Sequence, residues 1–385
     1  MEYSLEEIFD LQMGKTPSRN NLDYWRTEDN KWISISDLSK CGKYIEKTRE
    51  FISDSAVKES GICLIPANTV VMSFKLSIGK TAITSEPMYS NEAIMSFRDK
   101  RVVELIPDYV YYMFSGKDWD VGTNKAVMGK TLNKATLSKV KVKIHSINEQ
   151  REIVAMLDAL SRIINDRNTQ IESLDNLIKA RFVEMFGDPV SNPKGWEKKA
   201  LSEEADIKIG PFGSLLHKED YVSGGHALVN PSHIVEGKIS TDVDLTLTDE
   251  KYEELLAYHL LPGDVVMGRR GEMGRCAVVE QAGLLCGTGS LLIRTKGDLS
   301  ADYIQKIISF PSFKRTIEDM AVGQTMPNLN VPIVSRFQII KPPKSVQNEY
   351  YAFVAQVDKS KSVIQKACDD AQLLYDSLVN QFFGG

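Results

Sequence analysis

Three Gly-Lys-Thr triplets are the residues of this sequence that most directly suggest chemistry, because this triplet ends a phosphate-binding P-loop. The triplets begin at Gly14, Gly79 and Gly129. A P-loop needs another glycine five residues before the Gly-Lys pair, so that the backbone can curl around the phosphates. Those positions hold Phe9, Phe74 and Asn124. The triplets therefore predict tight turns, to which glycine is suited, and not a nucleotide-hydrolysing site.

Other catalytic patterns are incomplete as well. The segment Asn230-Pro-Ser-His233 resembles the Asn-Pro-Pro-aromatic loop of adenine methyltransferases, but it lacks the second proline and the aromatic residue, so we interpret it as a strand-to-turn junction. Pro107-Asp108 could open a nuclease motif, but no acid-x-Lys follows it within the next few dozen residues. The histidines lack metal-binding spacing, and no Gly-x-Ser-x-Gly elbow is present. The sequence predicts a non-enzyme without metal or cofactor.

Lysines cluster between residues 120 and 145, where they far outnumber the acids. Such clusters attract a phosphate backbone through charge neutralisation and counterion release. Three of them alternate with Val and Ile and are interpreted as the solvated edge of a strand: Lys139, Lys141 and Lys143. The better candidates for phosphate contacts lie in a predicted Gly/Asn-rich loop: Lys125, Lys130 and Lys134.

Loops of the second half carry arginines and amides at places where the first half carries other residues. Arg269-Arg270 follows a predicted strand where the first half has Phe74-Lys75. Arginine pairs bidentately with guanine or phosphate, and amides such as those in 323–330 pair likewise with adenine. The candidate DNA-binding residues are Lys15, Thr16, Ser18, Phe74, Lys75, Lys80, Lys125, Lys130, Lys134, Phe212, Ser214, Arg269, Arg270, Arg275, Gln324, Thr325, Asn328 and Asn330.

The elements that must position these loops occur twice, at an offset of about 196 residues, and such a repeat defines the architecture. Leu64–Ile83 and Leu260–Val278 both read as Leu-x-Pro, a turn, a Val-Val-Met strand, a polar loop and a second strand. The same order continues in Tyr109–Ser115 and Tyr303–Ser309. We therefore predict two similar globules of mixed α/β structure.

Each half ends in a segment whose apolar residues recur every 3.5 residues, a period that favours a left-handed coiled coil. The predicted coiled-coil interface consists of Ile153, Leu157, Leu160, Ile164, Ile171, Leu174, Ile178, Tyr350, Val354, Val357, Ile364, Ala371, Tyr375 and Leu378. Gly187-Asp-Pro ends the first helix, and Pro342-Pro343 precedes the second. The alternative is that each helix packs only on its own globule.

The composition is that of an ordinary globular protein. The 385 residues are 42% hydrophobic and 26% charged, with a formal net charge of −5. No apolar run reaches the ~18 residues of a membrane span, and the acidic start is unlike a signal peptide. Five scattered cysteines indicate neither disulfides nor zinc. We therefore expect a cytoplasmic protein, and the negative charge does not exclude a local basic surface.

Three stretches carry a family resemblance. They are Asn148-Glu-Gln-Arg-Glu-Ile153 at the start of the first long helix, Phe182–Trp196 at its end, and Gly210-Pro-Phe-Gly-Ser-Leu215 in the second half. With the repeat, they make the whole chain resemble the specificity subunits of type I restriction–modification systems, the HsdS family. One departure is that the second helix ends Phe382-Phe-Gly-Gly385, without a Gly-Asp-Pro sequence.

The resemblance implies target recognition domains at 1–146 and 188–341, with an antiparallel coiled coil formed by helices at 147–187 and 342–385 in an internal pseudo-twofold repeat. Each domain would read one half of a bipartite DNA site, while the coiled coil would set the spacer and dock two modification subunits. S-adenosylmethionine and ATP would belong to partner subunits, which include modification and possibly restriction subunits. A coiled-coil scaffold with two protein- or glycan-binding globules is the alternative.

Overall fold

The computed structural model describes residues 1–75, 77–119, 124–126, 129–321 and 328–384. The chain divides into two compact units. The first consists of Met1–Ile171 and Ser362–Gly385, and the second of Glu172–Lys361. Both boundaries fall inside long helices, so each unit contains part of each helix.

The first unit is built on a five-stranded sheet and a three-stranded sheet. Its strands are β1 (Glu2–Ser4), β2 (Phe9–Met13), β3 (Asn30–Ile33), β4 (Tyr44–Ile45), β5 (Glu50–Ile52), β6 (Val70–Ser73), β7 (Thr81–Thr84), β8 (Tyr89–Ser90), β9 (Ile94–Asp99), β10 (Asn124–Ala126), β11 (Gly129–Thr131) and β12 (Lys141–Lys143). The large sheet has the order β2-β9-β6-β7-β4 and the smaller one β5-β3-β8, while β1 pairs with β12 and β10 with β11.

Helices of the first unit pack on different faces of its two sheets. They are α1 (Leu5–Ile8), α2 (Ile35–Leu38), α3 (Asp54–Ser60), α4 (Pro107–Ser115), α5 (Lys134–Ser138) and the first part of α6 (Ile147–Phe186), with a 3-10 turn at Leu22–Tyr24. Helix α4 packs on β6 and β7, and it begins with Pro107 at a position where proline costs no hydrogen bond.

The second unit repeats this plan. Its strands are β13 (Glu197–Ala200), β14 (Ala205–Ile209), β15 (Tyr221–Val222), β16 (His226–Val229), β17 (Ile234–Val235), β18 (Lys238–Ile239), β19 (Thr246–Leu247), β20 (His259–Leu260), β21 (Val265–Gly268), β22 (Cys276–Val278), β23 (Leu284–Cys286), β24 (Ser290–Thr295) and β25 (Gln338–Lys341). Its helices are α7 (Leu201–Glu204), α8 (Asp249–Glu254), α9 (Ala301–Ser309), α10 (Pro311–Met320), α11 (Val331–Ser335) and α12 (Lys344–Phe383), with 3-10 turns at Gly213–Leu215, Lys218–Asp220, Pro231–His233 and Leu256–Tyr258.

The repeat predicted from the sequence is confirmed by the strand order. The sheet order β14-β24-β21-β22 of the second unit matches β2-β9-β6-β7 of the first, and β13-β25 matches β1-β12. The register agrees as well, because Met13 pairs with Met95 where Ile209 pairs with Leu291. Helix α9 packs on β21 and β22 as α4 packs on β6 and β7. The mixed α/β fold class is therefore confirmed.

The two long helices pair with each other inside each unit. In the first unit the Cys368 thiol on α12 lies 3.6 Å from the Asn168 side-chain oxygen on α6. In the second unit Arg181 on α6 bonds to Glu349 on α12 at 2.8 Å. Residue numbers rise along one helix as they fall along the other, so the pairing is antiparallel. Helix α6 ends at Gly187, which has a left-handed φ of 79°.

Every residue of the predicted coiled-coil interface is at least partly buried. Near the end of both helices the buried residues lie one position after those predicted by a strict 3.5-residue period. They are Phe182 and Phe186 on α6 and Val379 on α12. In a straight α-helix the apolar face rotates by ~20° per heptad relative to a strict 3.5-residue period. Over four heptads this rotation approaches the ~100° that separates successive residues. The shift of the buried positions by one residue therefore matches the drift expected of a straight α-helix.

The helix ends belong to the cores of the globules. The core of the first unit joins Ile153 and Leu157 of α6 to Val379 of α12 and to the buried rings of α4. The second core joins Phe182 and Phe186 of α6 to Tyr350 of α12, with the Phe186 ring 5.3 Å from that of Tyr350. The helices therefore both pair and pack on the globules, which combines the two arrangements weighed from the sequence.

Among the residues that the structure describes, no helix combines the length and the apolar character needed to cross a membrane.

Buried Gln150 anchors the start of α6 to the first globule. Its amide nitrogen donates to the carbonyls of Glu104 and His145 at 2.9 and 3.0 Å, and its amide oxygen accepts from Ile106 N at 3.0 Å. Gln347, the aligned residue of α12, is also buried and donates to the Pro342 carbonyl at 3.0 Å.

We expect Gln150→Ala to lower the free energy of unfolding by ~3 kcal/mol in urea titrations, because each buried polar group left unpaired costs ~1–3 kcal/mol. Gln170→Ala, at an exposed position of the same helix, is the control and should stay within ~0.5 kcal/mol of the wild type. Equal losses for both variants would contradict the anchoring role.

Candidate nucleic-acid interface

Three backbone hydrogen bonds hold the predicted loops together, and they occur in both units. Gly14 N donates to Ile94 O at 3.1 Å, and Gly210 N donates to Ser290 O at 3.0 Å. In the first unit Phe74 N also donates to Ala93 O, and Leu132 N donates to Phe74 O. The corresponding bonds of the second unit run from Arg269 N to Gly289 O and from Leu329 N to Arg269 O. The sequence-predicted loops therefore meet at one end of the strands of the large sheet in each unit. We name these sites the first and second loop clusters.

Close backbone packing explains the glycines that begin these loops. A β-carbon at Gly14 would lie 2.2 Å from the Ser90 carbonyl oxygen, and one at Gly210 would lie 2.0 Å from that of Gly287. Gly79 has a left-handed φ of 86°. Gly79 thus forms the predicted tight turn, whereas Gly14 is required by close backbone packing after β2 and Gly129 lies in β11, so the turn predicted at these two positions is not found.

Two tryptophans fix the loop that follows Gly14. The Trp32 indole N–H donates to Lys15 O and the Trp25 indole N–H donates to Ser18 O, each at 3.1 Å. Arg19 stacks 3.6 Å from the Trp25 ring centroid and forms an ion pair with Glu50 at 2.5 Å. The loop backbone is therefore held rigidly, while Ser18 and the Lys15 side chain stay exposed.

The predicted residues of the first loop cluster differ in accessibility. Thr16 is half-buried and donates to Glu92, and Lys15 Nζ donates to Ser60 O at 2.5 Å. Lys75 and Lys80 are half-buried at the edge of the cluster. Phe74 is only 1% exposed and packs in the first core. The prediction that Phe74 contacts a partner is therefore corrected, because its ring has no accessible face.

The lysine-rich segment forms a hairpin and a helix. Lys125 and Lys130 face each other in the register of β10 and β11, although a loop was expected there, and their side chains lie outside the described part of the structure. Lys134 is exposed at the start of α5. Strand β12 shows the expected solvated edge, since Lys141 and Lys143 are exposed around buried Val142.

Arg269 and Arg270 lie against the amide loop in the second loop cluster. The Arg269 Nε donates to Asn328 Oδ1 at 3.0 Å. The backbone of Arg270 pairs with that of Asn328 in an isolated antiparallel β-bridge. The bond to Asn328 uses the Nε donor of Arg269, and within the part of the chain that the structure describes its terminal guanidinium nitrogens remain available for bidentate contacts. Burial and the neighbouring Arg270 lower the pKa of Arg269 from its usual value. Arg270 itself is exposed.

The remaining predicted residues of the second loop cluster take different roles. Phe212 is 62% exposed in a turn. Arg275 braces the cluster, donating to Pro231 O at 3.1 Å and to Glu272 at 2.8 Å. Asn330 caps α11 by accepting from Ile333 N at 2.9 Å. The side chain of Ser214 and the residues Gln324 and Thr325 lie outside the described part.

Some residues of the clusters were missed from the sequence. Arg19, Trp25 and Trp32 stabilise the first cluster but follow no recognisable spacing. Glu92 and Thr288 lie in the turns before β9 and β24, at equivalent places of the repeat. Extending the repeat alignment through these turns could have identified the last two.

Metal ligation is not indicated among the described residues, which contain no group of three or more His, Cys, Asp or Glu side chains suited to an ion. The interpretation of Asn230–His233 as a strand-to-turn junction is confirmed, since β16 ends at Val229 and a 3-10 turn follows. The clusters offer cations, amides and an exposed aromatic ring, which suits recognition of a charged polymer more than bond-making chemistry.

Comparison with known proteins agrees with the resemblance noted from the sequence. The family model for the type I restriction modification DNA specificity domain matches residues 1–173. The MjaIX type I restriction enzyme specificity subunit of Methanocaldococcus jannaschii is 24% identical over 378 residues, covering 91% of this chain and 84% of that protein. The EcoR124I/EcoR124II specificity subunit of Escherichia coli is 26% identical over 168 residues, covering 42% of this chain and 41% of that protein.

Solved structures show the same fold. The S subunit of a type I restriction–modification system from M. genitalium has a TM-score of 0.54 at 13% identity, covering 100% of this chain and 96% of that one. A chain from a study of assembly of a type I restriction–modification system has a TM-score of 0.64 at 14% identity, covering 100% and 97%.

Fold and loop clusters together define a recognition subunit with two repeated units on a pair of long helices. The chain is similar to the type I restriction–modification specificity subunits, whose family model matches its residues 1–173. The similar proteins are specificity subunits, which agrees with the prediction of a non-catalytic recognition subunit.

Proposed function

We propose that this chain recognises a bipartite DNA sequence, with each loop cluster reading one half-site. The observation that carries the proposal is the repeated loop cluster: the same backbone bonds present Lys15, Lys75 and Thr16 in one unit and Arg270, Asn328 and Phe212 in the other. Equivalent frames with different side chains suit two different half-sites. The target recognition domains are assigned to 1–146 and 188–341.

Electrostatics supports the division of labour within each cluster. Lysines neutralise phosphates without reading sequence, which fits exposed Lys15 and Lys134. Arginine reads guanine through two parallel bonds, which fits Arg269 and Arg270. Phosphate contacts would set the position of the protein on the duplex, and base contacts would supply the sequence preference.

The paired helices, assigned to 147–187 and 342–385, are proposed to set the spacer between the half-sites and to dock two modification subunits. Within this proposal the modification subunits bind S-adenosylmethionine, an associated restriction subunit uses ATP, and the complex acts in the cytoplasm. The antiparallel pairing and the buried seam of α6 and α12 support the role of a spacer.

A domain exchange tests the proposed function. Replacing residues 196–341 by the equivalent segment of a relative should change one half of the methylated site and leave the other half intact. The measurement is methylome sequencing of a host that expresses the hybrid with its modification partner. A hybrid that altered both halves would show that the units do not read independently.

Single arginines should contribute to the second half-site. We expect Arg269→Ala and Arg270→Ala each to weaken specific binding by ~1–3 kcal/mol where the side chain reads a guanine. Arg315→Ala, at an exposed position of α10 outside the loop cluster, is the matched control and should bind as the wild type does. Unchanged affinity and target for both cluster variants would remove this loop from the interface.

Lengthening both helices tests the spacer. Asn168 faces Cys368, so four residues inserted after Arg167 and four after Cys368 keep the facing helices matched. Four residues add ~6 Å and nearly one full turn, so the seam stays in register. The gap between half-sites should grow by about one or two base pairs, at ~3.4 Å each.

Methylome mapping of that variant gives the answer, and a two-residue insertion at the same places serves as the contrast. Two residues rotate the following seam by ~200° and should destabilise the protein. An active four-residue variant with an unchanged gap would mean that the helices only dock partners.

A further inference from the structure

An acidic residue, Glu92, lies among the basic residues of the first loop cluster. It occupies the turn between β8 and β9, and the backbone of this turn is held from three sides. Asn91 N donates to Ile33 O at 3.1 Å, the Asn91 side chain accepts from Ala93 N at 3.0 Å, and Ala93 O accepts from Phe74 N at 3.0 Å. The position of the Glu92 backbone is therefore fixed by the fold.

The carboxylate of Glu92 is held in its charged form. Thr16 Oγ1 donates to Glu92 Oε2, and this bond lowers the pKa of Glu92, with Lys75 and Arg19 acting in the same direction. An ionised carboxylate accepts hydrogen bonds and donates none. The side chain is exposed, so the carboxylate keeps accessible surface at the cluster.

The fold itself does not require an acid at this place. The aligned residue of the second unit is Thr288, which is exposed, and the residue aligned with Thr16 is Phe212. The backbone bonds around both turns are nevertheless the same. The Thr16–Glu92 pair is thus a feature of one unit only, added to a frame that is stable without it.

A carboxylate on a surface that approaches DNA repels phosphates, so it lowers affinity for every sequence unless it gains a specific contact. The donors that a base edge offers to a carboxylate are exocyclic amino groups. In the major groove cytosine and adenine both present an amino donor; Glu and Asp pair with the cytosine amino group, whereas Asn and Gln pair bidentately with adenine. Arginine and lysine cannot accept this bond, because they carry only donors.

We propose that Glu92 determines specificity for a cytosine in the half-site read by the first unit. Its free carboxylate surface accepts a hydrogen bond from the cytosine 4-amino group, and Thr16 orients the carboxylate. The proposal rests on the proposed DNA recognition and deepens it by naming a base and the residue that reads it.

The test uses the complete complex with its modification partner. Methylome sequencing first defines the wild-type site, and binding is then measured on duplexes in which each cytosine of the first half-site, in either strand, is replaced by 2-pyrimidinone, a base without the 4-amino group. The wild type should lose about tenfold or more in affinity at one of these positions. Glu92→Thr, which introduces the residue of the second unit, should lose nothing further there.

Glu92→Gln keeps an acceptor for Thr16 and removes the charge. We expect it to relax the methylated site at that one cytosine and to leave the second half-site unchanged. The control is Glu152→Gln, which removes an exposed acid on α6 away from the cluster and should leave the site as it is.

Several outcomes would overturn the inference. They are an unchanged site in both Glu92 variants, an equal gain in affinity on all duplexes, or a uniform loss with a lowered melting temperature. An unchanged site would mean that Glu92 has no role in recognition, and an equal gain in affinity would mean that it acts only through its charge. A uniform loss with a lowered melting temperature would mean that its role is structural. Failure of the proposed function is distinguishable, because the wild-type complex would then methylate no defined bipartite site.

Discussion

The burial of the helix ends is the interaction on which the rest of this protein depends. Each globular core is completed by the beginning of one long helix and the end of the other, as Leu157 and Val379 complete the first core and Phe186 and Tyr350 complete the second. Removing either helix would therefore expose apolar surface in a globule, and hydrophobic burial is the dominant favourable term in folding. The pairing of the long helices and the folding of the globules are therefore coupled in this chain.

The loop clusters inherit their geometry from these cores. Strands β9 and β24 lie inside the large sheets, and the loops beside them are tied by main-chain bonds and by close glycine contacts rather than by side-chain pairs. Side chains add a second level, in which Trp25 and Trp32 support one loop and Asn328 supports Arg269. A recognition surface built in this way loses little conformational freedom on binding, which favours affinity.

The features that the sequence predicts well are periodic ones. The repeat, the two long helices and their seam follow from spacing alone, because the positions of apolar residues determine which face of a helix is buried. The strict period failed at Phe182 and Phe186, where the helix end packs into the core of the second unit. Alignment of the two halves predicted that Phe74 contacts DNA, but its ring is buried in the core of the first unit. Pairs such as Arg269 with Asn328, and Thr16 with Glu92, join residues far apart in sequence, and no local pattern encodes them.

The glycine-lined frame of the loop clusters has an evolutionary consequence. Because the β-carbon positions at Gly14 and Gly210 are filled by carbonyl oxygens of neighbouring loops, selection on these residues acts to preserve the frame. The side chains that project from the frame bear little of its stability, as the exchange of Thr16 and Glu92 for Phe212 and Thr288 between the two halves illustrates. Substitutions at such positions alter the sequence preference of the surface, and the substituted protein still folds. The two units therefore differ in the side chains that they present while their loop frames keep the same backbone bonds.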